Sequence, residues 1–153
     1  MLALTIPGRG EYRLEYLALD LNGTLALDGC LIEGVADRVR ALRENFQVHI
    51  LTADTLGKMA QVEQAVGLSA TLVHSADDKT AFVERVGPAA TVAVGNGAND
   101  AGMLSTAALG IALLGPEGLA REALEVADIL VPDILAALDL LLHPQRLVAT
   151  WRI

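Results

Sequence analysis

Cysteine occurs once in the 153 residues, as Cys30, so no disulfide can form within the chain and a reducing compartment is expected. Aromatic residues make up only 3%, which leaves the core to Leu, Ala, Val and Ile. Such an aliphatic interior suits a parallel sheet covered by helices on both faces. Positive charge is scarce as well: 11 Lys and Arg against 19 Asp and Glu give a formal net charge of −8. The acidic residues are spread along the chain, and a surface of that sign repels nucleic-acid phosphates and anionic membranes, so neither is an expected partner. Long apolar runs are missing too. The most apolar stretch, Ile129 to His143, is broken by Pro132, Asp133 and Asp139 and is too short and too charged to span a bilayer. Met1 to Arg13 has no basic start followed by an apolar stretch, so no secretory signal is visible and a cytoplasmic location is expected.

What is present is 53% hydrophobic content in a length that suits one compact domain with one good core. There is no internal repeat, low-complexity tract or linker, so residues 1–153 read as one domain. Strand-like runs occur at Tyr16–Asp20, Gln47–Leu51, Thr71–His74, Thr91–Val94, Gly110–Leu113 and Asp128–Val131. Helical stripes alternate with them: Val35, Val39 and Leu42; Met59, Val62 and Val66; Phe82, Val83 and Val86; Leu119, Ala123 and Val126. Regular β-α alternation predicts a three-layer α/β, Rossmann-like fold with an open parallel sheet. Two hairpins interrupt the rhythm. Leu25 to Ile32 turns at Asp28-Gly29, a pair suited to a type I′ turn, and Leu2–Ile6 and Tyr12–Leu14 flank Pro7-Gly8-Arg9-Gly10.

Open α/β sheets bind ligands at the carboxyl ends of their strands. The polar residues expected there are Asp20-Leu21-Asn22-Gly23-Thr24 after the first core strand and Thr52 after the second. Lys79 opens the helix after the third, and Gly95-Asn96-Gly97-Ala98-Asn99-Asp100 follows the fourth. A carboxylate can attack phosphorus and two acidic strand ends can hold Mg²⁺. A lysine, a hydroxyl and loop amides can neutralise the equatorial phosphoryl oxygens.

Taken in order, these segments resemble the signatures of the haloacid dehalogenase-like superfamily. Asp20-Leu21-Asn22-Gly23-Thr24-Leu25 is similar to its first motif, Asp-x-Asp-Gly-Thr-Leu/Val. Leu51-Thr52 and Lys79 match the second and third, and the loop from Gly95 to Asp100 resembles the fourth in the form that P-type ATPases share. The likeness is greatest to small soluble P-type ATPase-like phosphatases. It implies an aspartyl-phosphate on Asp20, with Asn22 at the general acid/base position, and Thr52 and Lys79 on the phosphoryl oxygens. It also implies a Mg²⁺ site drawn from Asp20, the Asn22 carbonyl, Asn96 and Asp100, and a small phosphorylated substrate. Few residues separate the motifs, Gly23 to Leu51 and Ala53 to Asp78, so a capless member with a hairpin flap is expected.

Two residues depart from the pattern: Asn22 and Asn96 both stand where the superfamily commonly has Asp. An amide cannot shuttle a proton, which predicts slow hydrolysis, and loss of a charge at position 96 predicts weak Mg²⁺ binding. The second reading is therefore a catalytically weak or inactive regulatory or binding module. Among the histidines, His49 reads as a core residue and His143 as a helix-end residue, while His74 ends a strand on the active edge. Finally, Ile134 to Leu142 is apolar nearly all round, as is much of Leu147 to Trp151, which predicts a homo-oligomer unless the tail folds back over the sheet edge.

Overall fold

The computed structural model describes residues 1–53 and 59–153. Among the described residues, ten strands and seven α-helices follow the predicted alternation. The strands are β1 (Leu2–Ile6), β2 (Gly10–Leu14), β3 (Tyr16–Asp20), β4 (Ala26–Leu27), β5 (Cys30–Leu31), β6 (Gln47–Thr52), β7 (Ala70–Leu72), β8 (Thr91–Gly95), β9 (Leu109–Leu113) and β10 (Ile129–Val131). The helices are α1 (Val35–Leu42), α2 (Met59–Val66), α3 (Ala76–Val86), α4 (Ala101–Thr106), α5 (Arg121–Val126), α6 (Ile134–Leu142) and α7 (Pro144–Trp151). Six strands form one parallel sheet in the order β10-β9-β8-β3-β6-β7. This is the three-layer, Rossmann-like arrangement, with β3 at its centre between β6 and β8.

Strand alternation gives the two faces different side chains. Leu17, Leu19, Val48, Ile50, Val92, Val94, Leu109 and Ile111 point into the larger core with α1, α2, α6 and α7. On the other face Ala18, Ala93 and Ala112 pack with Phe82 and Val83 of α3, Met103 and Leu104 of α4, and Ala123 of α5. A face paved with alanine lets the second helix layer approach the sheet closely. Gly110 carries this furthest, since a β-carbon there would run into the main-chain oxygen of Leu104.

Several boundaries differ from expectation by a residue or two, and two of them have a clear local reason. The third core strand stops at Leu72 rather than His74, because the Asp78 carboxylate takes the backbone N–H groups of His74 (2.7 Å) and Ser75 (3.1 Å) and starts α3 with a capping box. The helix expected from Leu119 begins only at Arg121, because Ala120 is extended and donates its N–H to the Asn96 carbonyl (2.9 Å). Residues 54–58, within the stretch assigned to a helix and a strand, lie outside the described residues.

Both hairpins form. Asp28 (φ 52°) and Gly29 (φ 76°) make the left-handed turn between β4 and β5. Between β3 and β6 the chain supplies only this flap and α1. The β1–β2 hairpin closes over α7: Tyr12 packs on Trp151 with ring centroids 4.6 Å apart, and the Arg9 Nε–H donates to the Trp151 carbonyl (2.6 Å). The tail therefore folds back. With α1 and α7 packed along α6, Leu135, Leu140 and Leu142 lie partly buried against the core. The chain itself thus covers part of the surface that suggested a homo-oligomer, while Leu135, Ala136 and Leu140 line an open cleft. No helix among the described residues is long and apolar enough to cross a membrane.

Close packing at Gly110 has a measurable consequence. Gly110→Ala removes unfolded-state entropy, which alone would stabilise by about 0.4–1 kcal/mol. The clash with a fixed backbone outweighs that gain, and a net loss of about 1–3 kcal/mol in urea unfolding is expected. A stabilised variant would show that α4 is free to move away from the sheet.

Candidate active site

The register sets the strand ends side by side. Asp20 is the last residue of β3 and pairs with Leu51, so Thr52 lies one step further along the neighbouring strand. On the other side β8 ends at Gly95 and feeds the loop to Asp100. Lys79 comes from the first turns of α3, placed by the Ser75 cap. Asp20, Thr52, Lys79, Asn96 and Asp100 are all buried.

Lys79 joins the two carboxylates. Its Nζ donates to Asp20 Oδ1 and to Asp100 Oδ1, both at 2.6 Å, with the lysine side chain 3% exposed. The second oxygen of each carboxylate is held as well. Asp100 Oδ2 accepts the backbone N–H groups of Asn96 (3.0 Å) and Gly97 (2.9 Å), folding the loop back on itself. The fold-back requires glycine at position 95, where a β-carbon would lie 2.5 Å from the Asp100 carboxyl carbon. Asp20 Oδ2 lies 3.1 Å from the Thr24 hydroxyl, which is also 3.2 Å from Asn96 Oδ1. The one hydroxyl proton serves the two acceptors in turn. Asn96 Nδ2 donates to the Gly118 carbonyl (3.0 Å).

The triad carries two carboxylates against one ammonium. Burial raises the Asp20 pKa to about 6, the Asp100 charge adds to the rise, and Lys79 and the Thr24 hydrogen bond oppose it. Burial pulls Lys79 down, but the charges of Asp20 and Asp100 outweigh it and hold the lysine above its ordinary value. At neutral pH the site thus holds an ionised, desolvated carboxylate at Asp20 and carries net negative charge.

Structure gathers Asp20, Lys79 and Asp100 in direct contact, links the Asn96 side chain to Asp20 through Thr24, and puts Thr52 on the adjacent strand end. Asn22 sits half-buried in the loop that bridges back to Ala26. His74 is exposed at the start of α3, and His49 packs edge-on against Phe82. Thr24 is the residue that sequence reading passed over: it lies within the first motif, and its burial makes it the link between Asp20 and Asn96. A cleft of about 590 Å³ lined by Arg38, Leu130, Asp139 and Arg146 among others contains none of these residues.

Among the described residues no group of three or more His, Cys, Asp or Glu side chains stands ready to hold a metal. Mg²⁺ asks for less: one or two carboxylates, with water and substrate oxygens completing its shell. Asp20 and Asp100, with oxygen donors from Asn22 and Asn96, are a hard, all-oxygen set with excess negative charge, and they fit that ion.

The chain matches no family model. It is similar to two uncharacterized proteins of Methanocaldococcus jannaschii. One is 49% identical over 61 residues, 40% of this chain and 66% of the relative, so the chain spans just under two thirds of that protein. The other is 51% identical over 39 residues, 26% of this chain and 89% of the relative. The fold is shared with 3-deoxy-D-manno-octulosonate 8-phosphate phosphatase of Moraxella catarrhalis, solved with magnesium, phosphate and KDO (TM-score 0.68, 18% identity, 91% of this chain and 94% of that one). A phospho-aspartyl intermediate analogue of phosphoserine phosphatase has it too (TM-score 0.65, 16% identity, 84% of this chain and 99% of that one). A zinc-transporting PIB-type ATPase in its E2.Pi state matches at 28% identity (TM-score 0.63) over 78% of this chain and 20% of the transporter. Solved structures of this group include haloacid dehalogenase-like superfamily hydrolases, and the chain has their fold. Within that superfamily the two phosphatases are covered almost end to end, whereas only a fifth of the transporter is represented.

Burial of Asp20 makes a pH prediction for the metal-free protein. Its folded pKa exceeds its ordinary value, so between 3.8 and about 6 the folded state binds more protons than the unfolded one and stability falls as pH rises. Asp20→Asn removes this penalty. In chelator, urea unfolding should show the variant more stable than wild type by about 1–3 kcal/mol at neutral pH, with the gain fading towards pH 4. A difference that is constant with pH would mean that Asp20 ionises without cost to the fold.

Proposed function

We propose that the protein is a Mg²⁺-dependent phosphohydrolase that turns over a small phosphate ester or anhydride through an aspartyl-phosphate on Asp20. The observation that carries this reading is Lys79 Nζ set 2.6 Å from both Asp20 and Asp100 at the carboxyl edge of the sheet. A buried carboxylate with one oxygen held by lysine is an oriented nucleophile rather than a solvated surface charge.

In the first step Asp20 attacks phosphorus, the bond from phosphorus to the leaving oxygen breaks, and the leaving group departs with the bond electrons. Lys79 and Thr52 hold the equatorial oxygens, with Lys79 also keeping Asp20 aligned. When bound, Mg²⁺ neutralises charge on the phosphoryl oxygens. Asp20, the Asn22 carbonyl, Asn96 and Asp100 are the groups that would hold it. In the second step water attacks phosphorus, the bond to Asp20 breaks, and inorganic phosphate and the free carboxylate are released.

Asn22 sets the rate. A carboxylic acid in its place could protonate a leaving alkoxide and then take a proton from water, whereas an amide only orients groups by hydrogen bonds. Substrates that leave without a proton (aryl phosphates, acyl phosphates, anhydrides) are therefore favoured, and the phosphoenzyme is long-lived. The second reading, a regulatory or binding module, draws on the same two residues, Asn22 and Asn96.

Single-turnover kinetics with aryl and alkyl phosphates in Mg²⁺ separate the two. Wild type should form phosphoenzyme from the aryl ester and Asp20→Asn should form none. Asn22→Asp should speed decay and raise formation from the alkyl ester more than from the aryl one, by up to the 10²–10⁴-fold that acid/base assistance is worth, as an order-of-magnitude range. No turnover in wild type or Asn22→Asp, with phosphate still bound, would favour the module.

A further inference from the structure

Between β9 and α5 the chain makes a tight turn, Gly115-Pro116-Glu117-Gly118, closed by an antiparallel bridge from Gly115 to Gly118. Two hydrogen bonds fasten this turn to the site: Asn96 Nδ2 donates to the Gly118 carbonyl (3.0 Å), and the Ala120 N–H donates to the Asn96 carbonyl (2.9 Å). Its base rests on the first motif, for a β-carbon on Gly115 would lie 3.2 Å from the Gly23 carbonyl oxygen.

The tip of the turn brings a carboxylate to the same place. Gly23, at φ 79°, has a β-carbon position that lies 2.5 Å from Glu117 Oε2, 2.8 Å from Asn96 Nδ2 and 3.0 Å from Asn96 Oδ1. Glu117 and Asn96 thus converge on one cradle that any side chain at position 23 would fill. From Asn96 Oδ1 the path to the nucleophile is short, through the Thr24 hydroxyl (3.2 Å) to Asp20 Oδ2 (3.1 Å).

We propose that Glu117 is a positioning residue of the cation site: it supplies, from the next loop, the carboxylate that Asn96 lacks. This rests on the reading of Asp20 and Asp100 as the carboxylates that hold Mg²⁺. Those two, balanced against Lys79, leave one net negative charge. Glu117 raises it to two, the charge of a divalent ion. Mg²⁺ keeps several of its waters, and a carboxylate beside the site would accept hydrogen bonds from them without binding the ion itself. The exposed turn suits such a water-mediated role.

The test is Mn²⁺ binding to the full chain, read by electron paramagnetic resonance of the free ion without any substrate. Glu117→Gln should weaken binding on the order of 10-fold, the usual cost of losing a group that orients the inner ligands. Adding Asn96→Asp to that variant should restore it, by returning a carboxylate to the same cradle. Binding unchanged in Glu117→Gln, while Asp100→Asn weakens it, overturns this proposal and leaves the reading of the site intact. A loss that Asn96→Asp fails to restore would lie in loop packing rather than charge and would also overturn it. No Mn²⁺ binding to wild type, or binding indifferent to both Asp20→Asn and Asp100→Asn, would overturn the metal-assisted reading itself.

Discussion

An ammonium held between two buried carboxylates is the constraint around which the rest of this structure is arranged. Desolvating three charges is costly, and a buried ion pair is stabilising only where geometry is close and the remaining lone pairs are satisfied. Here both conditions are met: Lys79 reaches Asp20 and Asp100 at 2.6 Å, and every remaining carboxylate oxygen accepts from Thr24 or from loop amides. Losing Lys79 from such a cluster would strand two buried carboxylates, whereas losing one carboxylate leaves a balanced pair. A site of this kind costs stability in the resting protein and makes sense where the excess negative charge is matched by a ligand.

Several features of the fold follow from holding that cluster. Asp20 and the Gly95 loop must end adjacent strands, which the β8-β3-β6 order provides. Lys79 must come down from a helix pressed close to the sheet, which the alanines at positions 18, 93 and 112 permit. The helix must also begin at the right residue, and the Ser75–Asp78 capping box fixes that start at Ala76, three residues before Lys79. Glycine at 95 and at 23 leaves room for the carboxylates that fold over the strand ends.

Much of this was legible in the sequence. The strands at Tyr16–Asp20 and Thr91 onward were visible because parallel strands buried on both faces are unbroken apolar runs bounded by polar residues. Asp20, Lys79 and Asp100 could be named together because segments resembling the superfamily motifs occur in order, although nothing in the isolated residue Lys79 marks it as buried. Thr24 was visible as a motif residue, but its link to Asn96 depends on two loops meeting in space. Glu117 carried no signal at all: it reaches the first motif only because β8 and β9 are neighbours. Hydropathy also could not tell whether the apolar α6 is covered by a second copy or by its own tail. The aromatic contact of Tyr12 with Trp151, across the length of the chain, shows that the tail folds back.

The central claim is chemical, that Asp20 becomes covalently phosphorylated. Its most direct test is to incubate the protein with Mg²⁺ and acetyl phosphate, quench in acid, and locate the modification by peptide mass spectrometry. The account predicts one phosphoryl group on Asp20, lost in mild base as acyl phosphates are. Phosphate on another residue, or none on any residue while the ligand binds, would contradict it.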